Sequence, residues 1–260
     1  MIIDAHTHVW PDSIAARALA GTVPGLESFG DGTVADLRRS MHAAGVDRSV
    51  VLGVANTADH VHKVQRFVGS LDRDSFIGFG SIHPDLNVDA NLTSLAEAGV
   101  RGIKIHPIFQ RFALDDARLT PILGQLDPGF VVVVHVGGGG SAEQAAMATP
   151  QMVVDLSRRF PHLNVVACHF GGYHRFADAL DVVCGERVFV DTSWPPSMAE
   201  LDPESVRAFV RRHGADRVLF ASDWPMADQG AEVSAVRRLG LSGEDTDLVL
   251  GGNLSRLLSL

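Results

Sequence analysis

The chain is poor in thiols: Cys168 and Cys184 are the only cysteines in 260 residues. It also lacks any apolar run of the ~18 residues that would suggest a membrane span. The N-terminus enters a strand at once, with no charged leader region and no cleavage site, so a secretion signal is not expected. A disulfide is then not expected either, and a reducing cytoplasm is the expected compartment. Basic charge is scarce: 22 Lys and Arg face 31 Asp and Glu, for a net charge of −9. That balance argues against a nucleic-acid partner held by a basic surface. The Gly137-Gly138-Gly139-Gly140 tract lacks the Lys-Ser/Thr of a phosphate loop, so a mobile loop beside a site is the better reading.

What remains is a soluble globular composition, 46% hydrophobic and 20% charged. Strand and helix signals alternate from end to end. Apolar runs predict strands at Ile2–His6, Ser49–Ala55, Phe76–His83, Gly102–His106, Phe130–His135, Leu163–His169, Arg187–Thr192 and Arg217–Asp223. The stretch from Trp10-Pro11 through Gly21–Gly32 reads as a loop. Thr33 is placed to cap a helix running to about Ala44, ended by Gly45. Further helices are expected near Asp59–Leu71, Val88–Ala98, Asp116–Leu126, Pro150–Phe160, Tyr173–Val183, Pro203–His213, Ala231–Leu239 and Gly243–Leu258. Eight strands, each followed by a helix, predict a parallel sheet. A single (β/α)8 barrel of about 250 residues accounts for the whole chain, residues 1–260, as one domain.

Five of the predicted strands end in histidine and the last ends in aspartate. The C-terminal mouth of a barrel is where side chains converge for chemistry. His6 and His8 form a His-X-His pair, and residues two apart in an extended chain point to one side. His135 closes a run of four valines, and His169 is followed by Gly171-Gly172. Asp223 precedes Trp224-Pro225, and a carboxylate buried there would be costly without a cation. Imidazoles and a carboxylate gathered at one mouth are ligand types for a divalent transition metal. Lys104 and His106 share a strand face. Lys104 is open to three roles: a cationic partner for a substrate carboxylate, a structural ion pair or, as resemblance to a known family implies, a carboxylated metal bridge. His83 and His106 divide between substrate contact and structural hydrogen bonding. Trp10 and Trp224 follow ligand strands and read as pocket walls or as packing. Arg111 and Arg175 read as surface residues. Alternation is expected to point Cys168 away from His169, toward the helix layer, as a small buried apolar group.

The segments Asp4-Ala5-His6-Thr7-His8, Gly102-Ile103-Lys104-Ile105-His106-Pro107, His135, His169-Phe170-Gly171-Gly172 and Ala221-Ser222-Asp223-Trp224-Pro225 together resemble the amidohydrolase superfamily. The similar branch is the amidohydrolase-related family, which includes the aminocarboxymuconate-semialdehyde-decarboxylase-like enzymes. The resemblance runs from residue 2 to Gly251-Gly252-Asn253. It implies that His6, His8, His135 and Asp223 bind one Zn²⁺ or similar ion. His169 then acts as an acid/base, or as a ligand of a second ion, and Asp223 doubles as the base. Lys104, His106, His83 and Trp224 are the expected substrate contacts. A small molecule is the expected partner, with no membrane and with a homodimer as a possible assembly. The expected reaction is hydrolysis of an amide, ester or lactone. Non-oxidative decarboxylation of an aromatic or muconate-like acid is the alternative, and a metal-binding barrel without catalysis a third. The chain is short for the decarboxylases of that branch, which favours the hydrolase.

Overall fold

The computed structural model describes residues 1–20, 27–138 and 141–260. Residues 21–26 of the expected loop, and Gly139-Gly140 of the glycine tract, lie outside the described residues. The eight expected strands are all present: β1 Ile3–Thr7, β2 Arg48–Leu52, β3 Phe76–Ser81, β4 Gly102–Ile105, β5 Val131–Val134, β6 Asn164–Ala167, β7 Phe189–Asp191 and β8 Val218–Leu219. They form one sheet in sequence order. Most are shorter than the apolar run that predicted them. His6 lies inside β1, whereas His83, His106, His135, His169 and Asp223 lie just beyond the ends of their strands.

The chain divides into two compact units. The first comprises Met1–Val51, Asp72–Ile77 and Asp191–Leu260. Here β1 pairs in parallel with β2, and Ala5 N donates to Phe220 O at 2.8 Å, so β1 also meets the chain just beyond β8. Helix Val34–Ala44 begins and ends as its sequence predicts. The Thr33 side chain accepts from Asp36 N, and Gly45 takes the left-handed conformation, φ +68°. Leu37 and Met41, one turn apart, are its buried face. Helix Gln229–Arg238 packs on it. Helix Asp12–Ala20 replaces the first part of the expected loop. Its alanines supply the propensity, and Pro11 precedes its first turn. The C-terminal segment Gly243–Leu258 is helical as expected, but α-helices Gly243–Asp247 and Asn253–Leu258 are joined by a π-helical turn, Leu248–Gly252, with non-helical backbone at Gly251. Between them Gly251 lies against β1: a Cβ there would stand 2.4 Å from Met1 O.

The second unit comprises Leu52–Leu71 and Gly78–Val190. Its core is the β4–β5–β6 ladder, in continuous register from Gly102↔Val131 to Val134↔Ala167. Valines of these strands are buried on both faces, as a parallel sheet requires. The Gln110 amide donates to Ala55 O at 3.0 Å and Ile82 O at 2.7 Å, and accepts from His106 N at 2.8 Å. One side chain thereby ties the ends of β2, β3 and β4. No helix among the described residues is long and apolar enough to cross a membrane.

Helix Gln229–Arg238 carries a buried acid, Glu232. Its carboxylate accepts the Ser197 hydroxyl at 2.7 Å and the Met198 N–H at 3.0 Å. Burial pushes its pKa up to about 7 from an ordinary 4.5, and the nearby Asp4 and Asp228 carboxylates add to the rise. The folded protein therefore holds this proton more tightly than the unfolded chain. The resulting stability is full below about pH 4.5 and is lost as pH rises through about 7. Glu232→Gln keeps an acceptor without the charge. Denaturant unfolding at pH 5 and pH 8 is expected to show a loss of roughly 2–3 kcal/mol in wild type relative to the variant across that interval. Parallel profiles would mean that the carboxylate ionises at no cost.

Candidate metal centre

In the first unit the structure brings His6, His8 and Asp223 together. His6 Nε2 and His8 Nε2 are 3.1 Å apart, and Asp223 Oδ1 lies 3.2 Å from the first and 3.4 Å from the second. Backbone bonds impose this meeting: Asp223 N donates to His6 O at 2.9 Å, and His8 N to Trp224 O at 2.7 Å. The register between β1 and β2 shifts between Asp4 and Thr7, which re-aims the side chains at the end of β1. Asp223 sits in the left-handed region at φ +61°. A non-glycine residue held there costs about 1 kcal/mol or more, and such strain clusters at functional sites.

Two carboxylates without a role predicted from the sequence hold this group in place. Asp191, the last residue of β7, accepts from His6 Nδ1 at 2.9 Å. That bond puts the imidazole proton on Nδ1 and leaves the Nε2 lone pair facing His8 and Asp223. Ser193 fixes Asp191 in turn, its hydroxyl 2.6 Å from Oδ1. Asp4, fully buried, accepts from His6 N at 3.0 Å, Ser222 N at 3.1 Å, Ser222 Oγ at 2.5 Å and Gln229 Nε2 at 2.8 Å. Burial raises its pKa to about 6, against the lowering effect of those bonds. The signal for Asp191 is its place at a strand end, like Asp223. The predicted strand ran one residue further, to Thr192, and so concealed it.

The second unit gathers the other histidines. His135 Nδ1 and His169 Nε2 are 3.0 Å apart. His106 stacks on His135 with ring centroids 4.0 Å apart, and Tyr173 stands 5.1 Å from the His169 ring. Strand register explains the group and corrects one expectation. Lys104 pairs with Val133, and Val133 with Val166, so these three share a face. Two residues on, His106, His135 and Cys168 share it as well. Cys168 therefore lies on the Lys104 side rather than pointing to the helix layer, and Lys104 Nζ donates to its Sγ at 2.9 Å. His169, next in line, reaches His135 because its backbone turns left-handed, φ +60°.

The remaining candidates fall as follows. His83 Nδ1 accepts from Asp85 N at 3.2 Å, and His106 Nδ1 from Phe109 N at 3.4 Å, so each ring caps a turn. Trp224 is completely buried, with its indole against Gly30, where a Cβ would stand 2.3 Å from it. In this structure it is a packing residue. Trp10 stacks on His8 at 6.2 Å. Arg175 pairs with Asp178 at 2.7 Å, and Arg111 is exposed. The described half of the glycine tract is pinned: Gly137 N donates to Ala148 O at 2.8 Å and Gly138 N to Tyr173 O at 3.1 Å.

The donor set of the first unit fits a transition-metal ion. Ligands about 2.0–2.1 Å from an ion stand about 3.3–3.4 Å apart in a tetrahedron and about 2.8–3.0 Å apart in an octahedron. The observed separations of 3.1, 3.2 and 3.4 Å fall within those limits. Imidazole nitrogens favour Zn²⁺ and its neighbours over Mg²⁺ or Ca²⁺. Asp191 supplies the outer carboxylate that such a histidine ordinarily has. Asp191→Ala is expected to weaken metal affinity about 10- to 100-fold, read by competition with a chromogenic chelator. Unchanged affinity would show that Asp191 does not orient His6.

Comparison with known proteins bears on the fold and the family. Among proteins of curated function none matches the sequence significantly. Solved structures do. An uncharacterized TIM-barrel protein from Bordetella bronchiseptica superposes with a TM-score of 0.77 at 21% identity, over 99% of this chain and 98% of that one. A candidate 2-pyrone-4,6-dicarboxylic acid hydrolase from Pseudomonas putida gives 0.68 at 21% identity, over 99% and 97%. A dihydroxybenzoic acid decarboxylase from Polaromonas sp. JS666, with bound manganese and the inhibitor 2-nitroresorcinol, gives 0.76 at 17%, over 100% and 97%. These likenesses establish the fold as a (β/α)8 barrel. The family model described as amidohydrolase matches residues 3–260. With its histidines and aspartates at the strand ends, the chain belongs to the amidohydrolase family, whose superfamily is one of metal-dependent enzymes.

Proposed function

We propose that the protein is a metal-dependent hydrolase that cleaves an amide, ester or lactone of a small molecule. The observation that carries this reading is the contact of the Asp223 carboxylate with the Nε2 atoms of both His6 and His8, at 3.2 and 3.4 Å. We assign His6, His8 and Asp223 to one divalent ion, with Zn²⁺ favoured by the donor set. His135 carries over as a further ligand from the family resemblance alone. When bound, such an ion lowers the pKa of water to about 7 and polarises a substrate oxygen. Asp223 has a second oxygen with which to take the proton that the attacking water gives up. Its left-handed backbone and the Asp223 N–H bond to His6 O hold that carboxylate in one orientation. His169 is the proton donor to the leaving group, and His135 at 3.0 Å sets the direction of its Nε2.

Two measurements test this. Asp223→Asn and His169→Ala are both expected to lower kcat by about 10²- to 10⁴-fold, the usual range for a lost general acid or base. His169→Ala should keep its metal, by elemental analysis; metal loss would make His169 a ligand. The metal-loaded enzyme should also be screened against lactones, esters, amides and aromatic acids, following both hydrolysis and CO₂ release. Hydrolysis of one class is the expected result. CO₂ release from an aromatic or muconate-like acid, without hydrolysis, would replace this reading with a decarboxylase. Solved relatives whose descriptions name a decarboxylase and a pyrone hydrolase make both arms worth measuring.

A further inference from the structure

Lys104 and Cys168 are two reactive side chains that the proposed reaction leaves unused. Both are fully buried. Lys104 Nζ and Cys168 Sγ are 2.9 Å apart. That is the length of an ordinary N–H···O bond. Sulfur is larger than oxygen, so these two atoms are pressed together more closely than a usual N–H···S contact. The contact is built into the sheet. Lys104 on β4 and Val166 on β6 flank Val133 on β5 in unbroken register, and Cys168 follows Val166 on the same face. Cys168 is level with the partly exposed His135, and Lys104 starts one pleat repeat, about 7 Å, below them, so its long side chain reaches up to the sulfur.

We propose that Lys104 and Cys168 are an oxidation site at which hydrogen peroxide drives formation of a reversible covalent nitrogen–sulfur bridge. In the first step the Cys168 sulfur attacks peroxide. The S–O bond forms, the O–O bond breaks, and sulfenic acid and one water result. A neighbouring cation favours the thiolate that makes this attack. The departing hydroxide takes a proton from the Lys104 ammonium to become that water, and in the second step the amine so formed attacks the sulfur. The S–N bond forms and the S–O bond breaks. The hydroxyl leaves as a second water, carrying a proton from the amine. The thiol is oxidised, the peroxide is reduced, and the protein is lighter by two hydrogens. Sulfenic acids are known to condense with a nearby nitrogen in this way. A nucleophile held in contact outcompetes a second peroxide that must arrive from solution. The bridge would join β4 to β6 beside His169 and remove the charge of Lys104. A reducing thiol would restore both groups.

The test is peptide mass spectrometry of the metal-loaded protein after hydrogen peroxide treatment, with digestion under non-reducing conditions. The expected result is a pair of peptides joined through Lys104 and Cys168, lighter than their sum by two hydrogens. It should disappear after dithiothreitol and be missing from Cys168→Ser. In Lys104→Met, which keeps the thiol and loses the amine, Cys168 should progress to sulfinic acid. Oxidised wild type should also melt at a higher temperature than the reduced protein, because the bridge closes a loop spanning 64 positions. Recovery of Cys168 as sulfinic or sulfonic acid without a linked peptide would overturn the proposal. So would recovery of Cys168 as an untouched thiol under conditions that oxidise the half-buried Cys184.

Discussion

The metal group depends first on a carboxylate that is not in it. Asp4 has no solvent exposure, and four donors converge on it: one from β1 itself, two from Ser222 and one from Gln229. A carboxylate buried without such donors would be strongly destabilising. With them, it fixes the end of β1 to the turn that carries Asp223. His6 and Asp223 are both within two residues of its partners. The ligands meet because Asp4 brings their backbones together, and their side chains need only complete what that bond network has set.

Around this anchor each ligand is constrained by a different device. His6 is fixed by a second acid, Asp191, which is itself held by Ser193. His8 is fixed by its backbone bond to Trp224 and by Trp10 stacked on its ring. Asp223 is fixed by a backbone conformation that few non-glycine residues adopt. His169, in the other unit, uses the same device, at φ +60°. The two residues proposed for proton transfer are thus both held in left-handed backbone. That is strain which the surrounding hydrogen bonds must offset.

What could be read from the sequence divides along physical lines. The eight strands were visible as apolar runs, and helices Val34–Ala44, Val88–Ala98 and Pro203–His213 as capped periodic segments, because those signals are local. The candidate ligands His6, His8 and Asp223 stood out because polar residues at the ends of apolar strands have few structural explanations. Asp4 had no such signal: its partner Ser222 is 218 positions away. The orientation of Cys168 was misread because alternation says that neighbours differ but not which one faces a given side. Only the register of β6 against β5 and β4 decides that, and register belongs to pairs of strands. The left-handed turn at His169 is likewise absent from any pattern of residue types.

The arrangement of the first unit bears on how the protein is made. His6 and His8 leave the ribosome near the start of synthesis, while Asp191 and Asp223 follow only after β7 and β8. An ion held by His6, His8 and Asp223, with Asp191 orienting His6, would not find its full site on a nascent chain. Early histidines without their carboxylates are weak and unselective ligands for whatever metal is at hand. Strong binding at the proposed site would wait for the late strands, and a bound ion would stabilise the finished fold. Metal choice at the proposed site would then be a property of the completed chain rather than of a lone His-X-His pair.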